Sequence, residues 1–268
     1  MILGKRRTAF SLVEVMVVIA ILAVLASLLL AGVLGGWESA RRLEALGEIV
    51  ELERAVALFK HERGVDHLPS RLKLARKAGQ SDDDTRAFLS QLFRHPQFMK
   101  TWETVGIVWN SDAGDGPVDL QGDQCLVFLL VGAQVGGQPI GFDYDGPNPA
   151  VGGKKYFSFK AGRLRTRANQ VYLSYYDSWN QTPFAYFSSG PGGHAYRDDC
   201  AALGVRPYGR PGAFLNPTSY QIISAGPDGV FGDQGSAWTP VTGPTVYPPG
   251  TKGRDDQANF QGNRSLGR

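Results

Sequence analysis

One carboxylate near the N-terminus has an unusual chemical setting. Glu14 lies at the edge of residues 15–34, a stretch with neither a charged residue nor a proline. A carboxylate beside so apolar a segment is costly unless a cation pairs with it. Nothing within the stretch can pair with Glu14, but a cation from another chain could.

A second set of carboxylates lies near the C-terminus. Asp228 stands in a Gly-Pro-Asp-Gly turn, and Asp255 and Asp256 follow further along the chain. Such a turn leaves neighbouring carbonyls available, and Ca²⁺ takes six to eight hard oxygen ligands of this kind. The spacing is not that of an EF-hand. These residues could bind a cation, or they could form a plain Asp-Gly turn followed by an exposed acidic pair.

Other residues with chemical potential form weaker patterns. Residues 110–123 are rich in Asp and Gly and could hold a second Ca²⁺, although ordinary Asp-Gly turns have the same composition. Cys125 and Cys200 could form a disulfide in an oxidising compartment, but a sequence cannot supply their separation. No nucleophile motif, phosphate loop or catalytic carboxylate pair is evident, which predicts a protein that is not an enzyme. The histidines have no metal-ligand spacing and are expected at the surface or in loops: His61, His67, His95 and His194.

Composition separates the chain into two kinds of segment. It has 268 residues, 43% hydrophobic and 20% charged, with a net charge of +3. The basic residues at positions 5–7 account for that excess, which gives no reason to expect nucleic-acid binding. Most of the 34 glycines and 16 prolines follow residue 105. We therefore expect a helical first part, followed by short strands, turns and loops.

The N-terminal apolar stretch predicts a single membrane span at about residues 13–34. Twenty helical residues cover about 30 Å, the thickness of the hydrocarbon core of a bilayer. The basic residues before it should remain cytoplasmic, which directs the rest of the chain outward. A buried core helix and a secretory signal peptide are the alternatives. The stretch is too long for a signal peptide, which would also have no use for Glu14.

The helix is expected to continue to residue 63. Charged residues alternate with an apolar stripe that should cover the globular domain, and Gly64 is a plausible stop. The predicted stripe consists of Leu43, Leu46, Val50, Val56, Ala57 and Phe59.

Residues 8–14, which read Thr-Ala-Phe-Ser-Leu-Val-Glu, resemble the cleavage and methylation motif of type IV prepilins. The resemblance implies that a prepilin peptidase cuts between Ala9 and Phe10 and that Phe10 is then N-methylated. The family usually has Gly before the cut and Thr where Ser11 stands here. The new amine would lie one helical turn from Glu14 of its own or a neighbouring subunit, so that Glu14 sets the register of assembly.

The remainder of the chain indicates an α+β domain. Residues 171–176, 184–188 and 220–224 have the composition of strands, and residues 155–164 alternate around aromatic side chains. Residues 126–131 could be a buried strand or a buried helix. A helix is expected over residues 85–93, with Ser81 or Asp84 as its N-cap and the acidic residues 82–84 favoured by its dipole.

Three segments of this domain resemble the major pseudopilins of type II secretion. Residues 177–180 resemble an Asp-Pro-Trp-Gly turn, residues 220–230 resemble a strand followed by Ser-Leu-Gly-Pro-Asp-Gly, and residues 255–260 resemble the ending Asp-Asp-Ile-x-Asn-Trp. In that family the last two segments bind one Ca²⁺. Here a longer insertion, residues 231–254, separates them. The resemblance implies that the carboxylates of Asp228 and Asp255 and the main-chain carbonyls of Ala225 and Val230 are ligands, with Asp233 and Asp256 as further candidates.

Taken together, the sequence predicts a type IV pilin-like α+β fold in which the long helix packs on a small antiparallel sheet. It comprises a leader (1–9), an N-terminal helix (10–63) and a periplasmic globular domain (64–268) with an enlarged middle region (64–165). The resemblance implies a single-pass inner-membrane subunit of a type II secretion pseudopilus, which moves into an extracytoplasmic filament. Its expected partners are further copies, other pseudopilins, the prepilin peptidase and the inner-membrane assembly platform. A type IV pilus subunit, a pilin-anchored adhesin and an enzyme or receptor domain on a pilin anchor are the alternatives.

Overall fold

The computed structural model describes residues 11–210, 213–232, 252–260 and 266. The helices of these residues are α1 (Leu12–Arg63), α2 (Asp83–Leu92), α3 (Phe98–Thr104) and α4 (Gly122–Val131). The strands are short: β1 (Leu72–Leu74), β2 (Val118–Leu120), β3 (Ala133–Val135), β4 (Gln138–Gly141), β5 (Leu164–Thr166), β6 (Leu173–Tyr175), β7 (Ala185–Ser188), β8 (Gly209–Arg210), β9 (Ala213–Phe214), β10 (Tyr220–Ser224) and β11 (Gln257–Ala258). A long helix with small antiparallel sheets is an α+β architecture, as the sequence predicted.

Helix α1 ends where the sequence predicted, at Arg63, and is followed by Gly64 with φ 59°. The chain separates into two compact units, however, at a boundary inside this helix, between Leu43 and Glu44. The reason is that α1 joins the globular core from Glu44 onward, whereas the globular domain was expected to begin at residue 64.

The first unit presents apolar side chains on every face of α1. All of residues 11–27 are exposed, and Leu12, Ile19 and Val24 are 71%, 60% and 59% exposed. A helix that is hydrophobic all round is normally covered by a core or by lipid. Across the part of the chain that the structure describes, no helix has a stretch long and apolar enough to cross a membrane.

In the second unit, one face of α1 is buried at steps of three and four residues. The buried apolar residues are Ala45, Ile49, Leu52, Ala55, Val56 and Phe59. The predicted stripe is right for Val56 and Phe59 and wrong for Leu43 and Ala57, which are exposed. The other two predicted residues, Leu46 and Val50, are half-buried, so they lie at the edge of the buried face.

Residues 126–131, for which the sequence allowed either a strand or a helix, belong to helix α4. Each of its ten residues is buried, so an alternation of apolar and polar residues could not have identified it. Gln121 and Gln124 form a reciprocal capping box at its N-terminus, which satisfies two main-chain donors that would otherwise lack partners. The helix lies in the same core cluster as Phe59 of α1.

The C-terminal sheet has three antiparallel strands in the order β11-β10-β7. Ile222 lies opposite Tyr186, and Ile223 lies between Ala185 and Ala258. The predictions of strands within 171–176, 184–188 and 220–224 are confirmed by β6, β7 and β10. The alternation over residues 155–164 does not form a strand: a 3₁₀ turn occupies Ala161–Arg163, and β5 begins at Leu164.

The middle region does not form a separate core. Leu89, Trp102 and Trp109 belong to the same core cluster as Phe59 of α1 and Ile222 of β10. The expectation of an enlarged region with its own role is therefore not confirmed. Within this region the N-cap of α2 is Asp82, whose carboxylate accepts a hydrogen bond from the Thr85 N–H, so the predicted caps Ser81 and Asp84 are wrong.

Candidate functional site

Glu14 lies in the first turn of α1, and Ser11 caps that turn. The Glu14 N–H donates to the Ser11 hydroxyl at 3.2 Å, so the pair forms half of a capping box. An acidic residue in the first turn also complements the helix dipole. None of the described residues forms an ion pair with Glu14. The processing residues predicted with it, Ala9 and Phe10, lie outside the described residues.

Further along α1, Glu48 forms a buried ion pair that the sequence analysis missed. Glu48 is 4% exposed and contacts the Arg163 guanidinium, while Lys160 reaches its Oε1 at 2.8 Å. The Tyr175 hydroxyl donates to the same Glu48 oxygen at 3.1 Å. The available signal was that Glu48 lies eight residues before Val56 of the predicted stripe and so on the same helix face. A charge on a buried face requires partners. This cluster ties α1 to the Ala161–Arg163 turn.

The candidate metal site is the loop after β10, residues 225–230. As the prediction required, this loop contacts the segment that carries Asp255, residues 252–260. The Asp228 N–H donates to Asp255 Oδ2 at 3.2 Å, and the Val230 N–H donates to Asp228 Oδ1 at 2.8 Å. Gly226 has φ 70°, and a Cβ there would lie 2.6 Å from the Asp255 carbonyl oxygen. Only glycine permits this approach, so the two acidic segments meet through main chain as well as side chain.

Three main-chain carbonyls within residues 225–230 have no hydrogen-bond donor among the described residues: those of Ala225, Asp228 and Val230. Ala225, which is fully buried, and Val230, which is 42% exposed, were both predicted as ligands. A buried carbonyl without a donor is costly, and a cation relieves that cost. Carboxylates together with main-chain oxygens are the donor set that Ca²⁺ prefers. In this respect the residues fit the predicted ion.

Asp256, a further predicted ligand, is fully buried beside the same loop. Its Oδ2 accepts from the Tyr208 hydroxyl and from the Gly232 N–H, while its Oδ1 has no hydrogen-bond partner among the described residues. Burial, with Asp255 and Asp228 nearby, raises the pKa of Asp256 to about 7. Asp233 lies outside the described residues. Within them, no group of three or more His, Cys, Asp or Glu side chains is arranged to hold a metal.

Asp177 supports the loop from the opposite side. It is fully buried and accepts from the Trp179 N–H at 3.1 Å, the Asn180 N–H at 3.2 Å and the Ser224 hydroxyl at 2.7 Å. Burial raises the pKa of Asp177 to about 6. Asn180 has φ 60°, the left-handed conformation expected for a residue that replaces Gly in this turn.

Protein partners account for several residues in the acidic loop at 110–123. The Arg76 guanidinium contacts Asp115 at 2.6 Å, and buried Asp123 pairs with Arg167 at 2.9 Å. The Ser174 hydroxyl donates to Asp123 as well, and burial raises the pKa of this carboxyl. These contacts give Asp115 and Asp123 cationic partners within the protein. Cys125 and Cys200, considered above as a disulfide, are both buried free thiols.

The N-terminus matches a known family model: residues 4–30 correspond to the prokaryotic N-terminal methylation motif. The chain is also similar to proteins named type II secretion system core protein G. It is 47% identical over 57 residues to that of Pectobacterium carotovorum subsp. carotovorum, which covers 21% of this chain and 36% of the relative. For Vibrio cholerae serotype O1 the identity is 41% over 61 residues, covering 23% of this chain and 42% of the relative.

The Escherichia coli (strain K12) protein of the same name is 42% identical over 55 residues, covering 20% of this chain and 38% of the relative. The chain thus spans less than half the length of these curated relatives. The predicted resemblance to prepilins and to the G-type protein of type II secretion is confirmed for this N-terminal region alone. No solved structure matches the chain.

Proposed function

We propose that this chain is a structural subunit of a type II secretion pseudopilus, which polymerises through α1 and helps to drive protein export. The observation that supports the proposal is the methylation motif at residues 4–30, continued by a helix that exposes apolar side chains on every face. Such a surface requires cover. The inner membrane would cover it before assembly, with the globular unit in the periplasm, and neighbouring subunits would cover it within the filament.

Processing and pairing follow from the same residues. Cleavage between Ala9 and Phe10 by a prepilin peptidase would create a cationic amine one helical turn from Glu14. The carboxylate of Glu14 would pair with the amine of an adjacent subunit as the assembly platform draws the chain from the membrane. In an apolar surrounding this pair would stabilise one axial register over others, because a slip would leave both charges unpaired.

The experiment that tests this function is the Glu14→Gln variant, expressed in a strain that lacks the native chain. We expect cleavage at Phe10, measured by mass spectrometry, to continue while filament assembly and export of secreted proteins fail. Glu51→Gln changes an exposed carboxylate of the same helix and serves as the matched control. Normal filaments with Glu14→Gln would overturn the pairing role. Loss of surface pili with export intact would instead identify a type IV pilus subunit.

We also propose that one Ca²⁺ binds between the loop after β10 and the Asp255 segment. The carboxylates of Asp228 and Asp255 and the carbonyls of Ala225 and Val230 would hold it, with Asp256 beside them. The ion would supply positive charge that offsets the repulsion of the clustered carboxylates. Residues 252–260 would then remain tied to β10, where Asn259 already exchanges hydrogen bonds with Ile222.

Melting of the full chain in detergent micelles, with Ca²⁺ and with chelator, tests this part of the proposal. Ca²⁺ at 100 times its Kd should stabilise the globular unit by about 2.7 kcal/mol. Asp228→Asn should abolish that difference, whereas Asp119→Asn, at an exposed position in β2, should preserve it. Identical melting with Ca²⁺ and chelator would contradict the site.

A further inference from the structure

The segment from Asp177 to Thr182, here called the Trp179 turn, contacts the candidate metal loop at several points. The turn is closed by a hydrogen bond from the Asp177 N–H to the Thr182 carbonyl at 3.2 Å. The Ser224 hydroxyl, at the start of the loop, donates to Asp177. These contacts place the turn against the loop, which on another side meets Asp255.

Two side chains of the turn donate hydrogen bonds to main-chain carbonyls of the loop. The Thr182 hydroxyl donates to the Gly229 carbonyl at 2.6 Å, and Gln181 Nε2 donates to the Pro227 carbonyl at 3.3 Å. Each hydrogen bond directs its carbonyl towards the turn.

The two glycines that flank Asp228 show how closely the loop is held. A Cβ on Gly226 would meet Asp255, whereas a Cβ on Gly229, at φ 68°, would lie 2.6 Å from Gln181 Oε1. One glycine therefore packs on the acidic segment and the other packs on the Trp179 turn. The loop is therefore held between the Asp255 segment and the Trp179 turn, and Asp228 lies between Gly226 and Gly229.

We infer that Thr182 and Gln181 are positioning residues that select which carbonyls of the loop a Ca²⁺ ion meets; this rests on the calcium site proposed above. They retain the carbonyls of Pro227 and Gly229 on the side of the turn. The carbonyls of Ala225, Asp228 and Val230, which lack donors among the described residues, remain on the other side for the ion. Without the Thr182 hydroxyl, the peptide group between Gly229 and Val230 keeps only the hydrogen bond from the Val230 N–H to Asp228 Oδ1. The direction of the neighbouring Val230 carbonyl is then fixed less firmly.

The test is calorimetric titration of Ca²⁺ into the full chain in detergent micelles. Thr182→Val keeps the shape of the side chain and removes the donor, so we expect the Kd to rise by about two- to tenfold, the value of one hydrogen bond. Thr182→Ser retains the hydroxyl and should restore the native Kd. Thr166→Val makes the same change at an exposed position of β5 and should have no effect.

A purely structural role for Thr182 predicts a different result. It would lower the melting temperature equally with Ca²⁺ and with chelator and leave the Kd unchanged, which would overturn the inference. Gln181 is exposed, so Gln181→Met should fold even if Thr182→Val does not, and it should weaken Ca²⁺ binding in the same direction. An unchanged Kd for Gln181→Met would then overturn the inference. If the native chain binds no Ca²⁺, the calcium proposal itself fails, an outcome distinct from native affinity in the variants.

Discussion

The two parts of α1 belong to one helix but differ in what covers them. Leu22 in the first part is 58% exposed, whereas Leu52 in the second part is fully buried. Their acidic residues differ in the same way: Glu14 has no ion-pair partner among the described residues, and Glu48 has Arg163 and Lys160. The helix forms from local hydrogen bonds in both parts, whereas the exposure of each part depends on which residues pack against it. The second part is covered by residues of the same chain, whereas residues 11–27 of the first part are covered by none of the described residues.

The largest contrast in stability is expected between large-to-small substitutions in the two parts. Phe59→Ala removes a fully buried ring and should lower the free energy of unfolding by about 3–5 kcal/mol. Leu22→Ala removes exposed atoms and should change that free energy by less than about 0.5 kcal/mol. Denaturant titration of the full chain in micelles measures both values, and equal losses would contradict the division of α1 into two parts.

Replacement of Arg163, the cation of the buried ion pair with Glu48, tests how much this pair stabilises the second part of α1. Arg163→Ala leaves Glu48 buried with Lys160 as its remaining cation. It should lower the free energy of unfolding by about 3 kcal/mol, the lower end of the range for broken buried pairs. The double variant Glu48→Met with Arg163→Met should recover much of that loss, because no unpaired charge remains. Lys154→Ala, which breaks a more exposed pair with Glu62, should cost less than about 1 kcal/mol. A loss for Arg163→Ala as small as that of this control would contradict the buried pair.

The globular unit should also depend on pH through Asp177. Its pKa of about 6 in the folded chain exceeds the value of about 3.9 expected when unfolded. The unfolded chain therefore releases this proton first as pH rises. The stability that Asp177 contributes is complete below about pH 4, declines between about pH 4 and 6 and is constant above, a change on the order of 3 kcal/mol. Asp177→Asn should remove this part of the decline, measured with chelator present, and Asp119→Asn should leave it intact.

The smallest effect is expected at the start of α1. Ser11→Ala removes the acceptor of the Glu14 N–H and should destabilise the first turn by about 1 kcal/mol. Hydrogen exchange at the Glu14 amide measures the change. Ser27→Ala, within the same helix, loses only a bond to the Val24 carbonyl and should leave that amide unaffected. Exchange at Glu14 that is unchanged in Ser11→Ala would show that Ser11 is not the cap.

Local chemistry explains which features the sequence predicted well. Gly64 ends α1 because a glycine adopts the left-handed conformation at little cost, and the composition of residues 220–224 suits a strand. Asn180 could be predicted in the same way from its tolerance of positive φ. The predictions that failed concern residues whose partners are distant in sequence. Glu48 meets Arg163 only through the fold, and the exact face of α1 that becomes buried depends on which helices and strands pack against it.

The apolar N-terminal helix, the motif around Glu14, the α+β class and the acidic turn at Asp228 could all be read from the sequence, because each shows in residues close together in the chain. Three further features became clear in the folded structure alone: residues 126–131 are a helix, Asp255 contacts the Asp228 loop, and Thr182 and Gln181 donate hydrogen bonds to two carbonyls of that loop. Those outcomes depend on which main-chain donors and acceptors find partners across long separations. Only the closed fold brings such partners within hydrogen-bonding distance.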